Sequence, residues 1–239
     1  LEAGGEVAAY DAGPAGRGSD TGEGALVSFL RHRGYRELSW LIVSHEDPSH
    51  SGGTGELVRN LDIGQVRVGE QAVTLGERAL CSAGERIGWQ EVEFEFLWPR
   101  QPGKGGDEGS CVVRVHAAGA SILLTGDIGA ATERRLVREH GAALATDVVI
   151  VPNHGSNRSS TVAFVQASAP RHALISAGYR NRYGFPRPEV VQRYQAVGAD
   201  VRITAAEGAI ELRVLRDGTL LIDGQRRRHG RYYHRRVEL

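Results

Sequence analysis

Apolar and polar positions along the chain group into short runs of two kinds. Alternating or continuous apolar segments of four to eight residues predict strands, and segments with apolar positions three and four apart predict amphipathic helices. GEVAAYDAG (5–13) reads as a strand ending in a Gly-Pro turn, and TGEGALVSFLRHRG (21–34) as a helix stopped by Gly34. LSWLIVSH (38–45) is a strand entering a polar loop, and SGGTGELVRNL (51–61) opens a second helix. QVRV, EVEFEFLW, SCVVRVHA and ASILLTGD follow as successive strands between Gln65 and Asp127, the last two joined by the tight turn AAGA. ATERRLVREHG is a helix, DVVIVPNHGS a buried strand running into a polar loop, and SSTVAFVQAS a helix. The closing order is strand HALISAG, helix PEVVQRYQAVG, then strands DVRIT and AIELRVLRDGTLLID.

Sheet-forming segments therefore occur in both halves, each flanked by helices. Two mixed sheets packed face to face with helices outside, an α/β (α+β) αββα sandwich, fit this order. A single doubly wound sheet is the alternative, and four successive strands without intervening helices argue against it. The expected organisation is one domain over residues 1–225 followed by a basic tail at 226–239.

Composition sharpens this in three places. The 239 residues balance 29 basic against 29 acidic side chains, yet RRRHGRYYHRR at 226–236 contains six arginines and no acid, which leaves a mildly acidic body. Arg226, Arg227 and Arg228 with Tyr232 and Tyr233 suggest contact with nucleic-acid phosphates and bases, or a solvated end. The chain holds no methionine, even at position 1, and is expected to be an internal piece of a longer protein. Its apolar runs are far shorter than the ~18 residues needed to cross a bilayer, and it lacks the pattern of a signal peptide. Cys81 and Cys111 lack C-x-x-C spacing and are too few for a disulfide framework, so both are read as buried, inert thiols.

Candidate chemistry gathers where polar clusters directly follow buried strands: SHEDPSHSGG at 44–53, TGD at 125–127 and VPNHGSNRSS at 151–160. His45, Asp47 and His50 fall within six residues, and imidazole nitrogen with carboxylate oxygen is a donor set for Zn²⁺ or Mn²⁺. Asp127 is placed to bridge two ions and His154 to complete the set. Each has a plainer reading: Asp47 or Ser49 as a helix cap, Asp127 as the cap of the helix near Ala130. Ser156, Ser159 and Ser160 either donate to phosphate oxygens or cap the next helix. Asp11 is read as holding its own turn, and Asn181 and Tyr183 as orienting substrate or shaping a turn.

These motifs resemble the metallo-β-lactamase fold, and more closely the β-lactamase-like domain of the ComEC family of DNA-uptake competence proteins. YDAGP (10–14), SHEDPSHSGG, SCVVRV (110–115), LLTGDI (123–128), VPNHGSNRSS, ISAGYRNRYGFP (175–186) and TAAEGAIEL (204–212) carry the resemblance. It implies metal ligation by His45, Asp47, His50, Asp127 and His154, with one or two Mn or Zn ions and Asp47 and Asp127 as catalytic carboxylates. It further implies a metal-dependent nuclease that degrades the non-transported strand of incoming DNA, on the outer side of a bacterial inner membrane, beside the channel part of the same protein. The chain departs from the family pattern at Ser49, where an aspartate is expected, at Asn153 and Phe185, where histidines are expected, and at Gly106 and Asp107, where an Asn-Asp pair has drifted. The alternatives these departures open are a catalytically silent DNA-binding domain and another hydrolase of the same fold.

Overall fold

The computed structural model describes residues 1–15, 24–70, 75–103 and 105–228, which fall into two compact units, Leu1–Val113 and Arg114–Leu239. The first unit opens with β1 (Glu2–Ala3) antiparallel to β2 (Glu6–Tyr10). Helix α1 (Ala25–His32) buries Val27 and Leu30, three residues apart on one face, and stops before Gly34 at φ +86°. Strand β3 (Glu37–Val43) buries Leu38 and every residue from Trp40 to Val43. That continuous apolar run is what a strand paired on both edges and covered on both faces requires.

The predicted second helix is α3 (Thr54–Asn60), and a single helical turn, α2 (Pro48–Ser51), precedes it within the expected polar loop. With β4 (Asp62–Val68) and β5 (Ala79–Leu80) the sheet order is β1-β2-β3-β4-β5, parallel from β2 onward. Val43 sits opposite Val68, so β3 and β4 end level and release their loops together. Beneath this sheet Val27 and Leu30 of α1 and Leu57 of α3 meet Leu38, Leu41 and Val43. Each such leucine contributes roughly 2 kcal/mol by leaving water. β6 (Arg86–Trp89) and β7 (Val92–Trp98) form an antiparallel hairpin turning at Gln90, φ +51°. The sequence pattern missed β1, β5 and β6, the first two only two residues long and the last, RIGW, interrupted by a glycine.

Cys81 and Cys111 correct a sequence expectation. They are fully buried, as expected, but joined in a disulfide with a Cα–Cα distance of 5.8 Å. Residues 30 apart carry no local sign of pairing. Cys81 N donates to Val68 O (2.9 Å) and Cys111 N to Ser44 O (3.0 Å), so the ends of neighbouring strands β3 and β4 bring the two sulfurs together.

Strand β8 (Val112–Ala117) carries the chain into the second unit and turns into β9 (Ala120–Leu124) through Ala118 and Gly119, both at positive φ. Next come α4 (Ala130–His140), β10 (Val148–Ile150), α5 (Val162–Ser168), β11 (His172–Ile175), α6 (Pro188–Ala196) and β12 (Asp200–Ile203). The strands lie in the order β8-β9-β10-β11-β12, and β9 through β12 are parallel. Their carboxyl-end loops, 125–129, 151–161 and 176–187, therefore emerge on one edge of the sheet. A short helix α7 (Thr204–Glu207), the hairpin β13 (Ile210–Val214) and β14 (Leu220–Gly224), and α8 (Gln225–Arg228) complete the unit.

The start of the expected tail belongs to this folded unit. Arg226 Nη1 donates to Ala205 O (2.7 Å), Arg227 lies 3.6 Å from Glu207, and Arg228 pairs with Glu211 (2.8 Å) and Asp223. These three guanidinium groups thus have structural partners, which the charge count could not show because all of these partners but Asp223 lie 17 or more residues away. Residues 229–239, with Tyr232 and Tyr233, lie outside the described residues.

Candidate functional site

In the first unit the site is built where β2 and β3 end. Asp11 follows β2 at φ +63°, a conformation that aspartate tolerates better than most residues. Its Oδ1 accepts from Ser44 N (2.7 Å) and its Oδ2 from Ser44 Oγ (3.0 Å). Oδ2 also lies 2.7 Å from His50 Nδ1. A carboxylate acceptor there requires the His50 proton on Nδ1, which leaves Nε2 with the ring's lone pair. The same logic extends to His45, 2% exposed, whose Nδ1 is 3.0 Å from Ser44 Oγ. Because that hydroxyl donates to Asp11, it accepts from His45 Nδ1, and His45 Nε2 becomes the lone-pair nitrogen. The two buried rings lie 4.4 Å apart between centroids.

His45 Nε2 approaches Asp107 Oδ1 at 3.8 Å. Asp107 sits in a 3-10 turn over Asp107–Gly109 and was not among the site residues expected from sequence, where it showed only as part of a drifted pair. Asp47, in contrast, is exposed and caps α2, accepting from Ser49 N (2.7 Å) and Ser49 Oγ. The Ser49 hydroxyl is the main reason its carboxyl is held below the usual aspartate range; burial opposes that shift and the Ser49 amide adds to it. Gly52 and Gly53 are small for a packing reason. A Cβ at 52 would lie 2.4 Å from Pro48 O, and one at 53 would lie 2.4 Å from Ala12 O, so side chains there would expel the 10–14 turn that carries Asp11.

In the second unit Asp127 follows β9 through Gly126 and is 9% exposed. It is not the cap of α4, whose N-cap is Gly129 with no side-chain bond. Asp127 Oδ1 lies 3.8 Å from His154 Nε2, and His154 Nδ1 lies 2.9 Å from Ser176 O. A carbonyl can only accept, so His154 too carries its proton on Nδ1 and turns Nε2 toward the carboxylate. Asn153 and His154 both have positive φ, and Asn153 Nδ2 donates to Asp127 O (3.3 Å). Backbone in this region is a strained state that tends to gather at functional loops.

The serines of this loop are turned inward. Ser159 Oγ donates to Pro152 O (3.0 Å), Ser160 Oγ lies 3.2 Å from Tyr194 Oη, and Ser156 Oγ accepts from Arg158 N (3.3 Å). All three are buried, and Thr161, not a serine, caps α5. Their hydroxyls shape the histidine loop. Asn181 spans its own turn, donating to Gly178 O (3.0 Å) and Phe185 O (2.6 Å), while Tyr183 is 54% exposed.

The donor set suits a divalent cation. All three imidazoles have Nδ1 held by the protein and Nε2 presented, the arrangement in which an outer partner orients a ligating histidine. The 3.8 Å separations of Nε2 from carboxylate oxygen are close to the roughly 3.4 Å between two ligands on one tetrahedral Zn²⁺ with bonds near 2.1 Å.

Residues 1–179 match the model of the metallo-beta-lactamase superfamily. Competence protein ComA of Neisseria gonorrhoeae is 36% identical over 209 residues, 87% of this chain and 29% of that protein. Recombination protein 2 of Haemophilus influenzae is 30% identical over 236 residues, 96% of this chain and 29% of that protein. The chain thus spans under a third of the length of these relatives. Among solved structures, the metallo-beta-lactamase fold protein YhfI of Bacillus subtilis superposes with a TM-score of 0.52 at 12% identity, covering 89% of this chain and 85% of that one, a likeness of fold alone.

Proposed function

Since the chain belongs to the metallo-β-lactamase superfamily and has its mixed α/β fold, we propose that it is a divalent-metal-dependent DNA nuclease domain of a DNA-uptake membrane protein. Its task in this reading is to degrade the strand that is not transported. The observation that carries it is the common treatment of His45, His50 and His154, each fastened through Nδ1. The competence relatives supply the direction toward DNA uptake.

His45 and His50 in the first unit and Asp127 and His154 in the second are the proposed donors for Mn or Zn, one or two ions, with Asp47 as a further anionic donor. When bound, such a metal polarises a phosphoryl oxygen and lowers the pKa of water. The protein's own part is orientation. Asp11 fixes the His50 tautomer through the 2.7 Å contact and Ser44 passes the same constraint to His45. Asp47, its pKa lowered chiefly by Ser49, stays ionised at neutral pH, which suits it to facing a cation more than to accepting a proton.

The test is elemental analysis of the purified domain together with DNA cleavage across a series of divalent ions. Bound metal, and cleavage lost in His45→Ala and Asp127→Ala, are the expected results. A folded domain that binds no metal and leaves DNA intact throughout the series sinks the reading.

A second reading, a DNA-binding domain without catalysis, is favoured by specific residues. Ser49 is hydrogen-bonded to Asp47, Asn153 to the Asp127 backbone, and Phe185 stacks on Tyr183, where the family pattern places ligand or proton-transfer groups. Ser49→Asp with Asn153→His and Phe185→His raises metal content and cleavage if only those groups are lacking. The expected setting is the outer side of the inner membrane, beside the channel part of the same parent protein. The Cys81–Cys111 bridge supports that side, since such bonds persist in oxidising compartments. None of the described helices is long and apolar enough to cross a membrane.

A further inference from the structure

Loop 176–187 leaves β11 and returns at α6, and both of its ends are fastened to the histidine loop. At one end His154 Nδ1 donates to Ser176 O (2.9 Å), and at the other Arg187 N donates to Gly155 O (2.9 Å). Pro186 packs so tightly on Gly155 that a Cβ there would lie 2.5 Å from the proline Cβ. Asn181 braces the interior, its Oδ1 accepting from Phe185 N (3.0 Å) while its Nδ2 donates to Phe185 O. The loop is thus a fixed shape beside Asp127 and His154.

What it presents outward is a mixed stack of rings and guanidinium groups. Tyr183 and Phe185 lie 5.6 Å apart with planes 19° from parallel. Arg182 sits 4.7 Å from the Tyr183 centroid, Arg187 5.7 Å from that of Phe185, and Arg180 5.4 Å from that of Tyr179. Tyr179 and Tyr183 are 47% and 54% exposed. Residues 176–188 contain three arginines and no acid, and among the described residues no ion pair holds Arg180, Arg182 or Arg187. Two exposed tyrosines interleaved with guanidinium groups that carry no carboxylate partner match a ligand that alternates flat rings with anionic charge.

We propose that loop 176–187 is a docking platform for single-stranded nucleic acid, with bases stacking on the Tyr179 and Tyr183 region and phosphates met by Arg180, Arg182 and Arg187. It deepens the nuclease reading and rests on it for the direction of travel, past the platform toward Asp127 and His154. A duplex fits poorly, because its bases are already stacked on one another and offer the platform only phosphates.

The experiment measures binding of a fluorescent oligothymidylate to the whole chain by anisotropy, in EDTA, with a hairpin duplex of equal length as comparison. Tyr183→Ala is expected to weaken oligothymidylate binding roughly 5- to 150-fold, the range for losing one base stack, and to leave the duplex unaffected, whereas Tyr183→Phe restores binding. Arg182→Ala with Arg187→Ala is expected to reduce the salt dependence. Unchanged oligothymidylate binding in Tyr183→Ala, or equal losses for single strand and duplex, overturns the platform. Because EDTA removes any metal, failed cleavage with intact Tyr183-dependent binding counts only against the nuclease reading. Cleavage with no Tyr183 effect on binding counts only against the platform.

Discussion

Reducing the Cys81–Cys111 bridge is a perturbation whose size follows from the structure. The two residues are 30 apart in sequence, and loop-closure entropy for that span gives about 3.5 kcal/mol of stabilisation at 25 °C, acting through the unfolded chain. For a unit of the size of Leu1–Val113 this corresponds to a fall in Tm of roughly 15 °C. The assay can be confined to that unit, because all three tryptophans, Trp40, Trp89 and Trp98, lie in it. Tryptophan fluorescence during urea unfolding, with the same protein oxidised and fully reduced, isolates the cross-link without introducing new side chains. Thiol titration of the denatured, unreduced protein is expected to find none, since Cys81 and Cys111 are the only cysteines. Two titratable thiols in the folded, air-exposed protein, or a difference between the two forms below about 1 kcal/mol, would refute the reasoning.

Three further outcomes follow from particular contacts. Asp11→Asn removes the charged acceptor of His50 Nδ1, and metal affinity measured by competition with a chelating dye is expected to fall 10- to 100-fold, the usual cost of losing such an outer partner. Glu207→Gln leaves the buried Arg202 guanidinium without its bidentate carboxylate and is expected to destabilise the second unit by about 3–5 kcal/mol, whereas Arg202→Met with Glu207→Leu stays close to the parent; urea midpoints followed by circular dichroism distinguish the two. Burial pushes the Tyr194 phenol above its ordinary pKa, with the Ser160 bond opposing. This raised group contributes stability that is complete below pH 10 and lost as pH climbs further, when the unfolded chain ionises first. Tyr194→Phe is expected to flatten the decline in stability above pH 10, at a cost of about 1 kcal/mol at neutral pH for the lost bond to Ser160.

Much of the architecture was legible in the order of residues because strands and helices have periods that a short window contains. LSWLIV and DVVIV announce buried strands, ALVSFLRH an amphipathic helix, and the polar clusters after them place His45, His50, Asp127 and His154 on strand-end loops. The run 226–228 misled for the complementary reason: its charge is local, but the Glu207, Glu211 and Asp223 that neutralise it are not adjacent.

The sequence by itself determined the elements, the family resemblance and the residue types able to hold a cation. Only the tertiary structure decided which atoms of those residues are presented. It sets Asp11 on Ser44 and His50, turns Ser159 and Ser160 inward, brings Asp107 to 3.8 Å from His45, and joins Cys81 to Cys111. The physical reason is range. Periodicity and capping act within a turn or two of chain, whereas the His50 tautomer, the disulfide and the approach of Asp107 to His45 are fixed by partners 30 or more residues away, which meet only once the sheet has set the register of its strand ends.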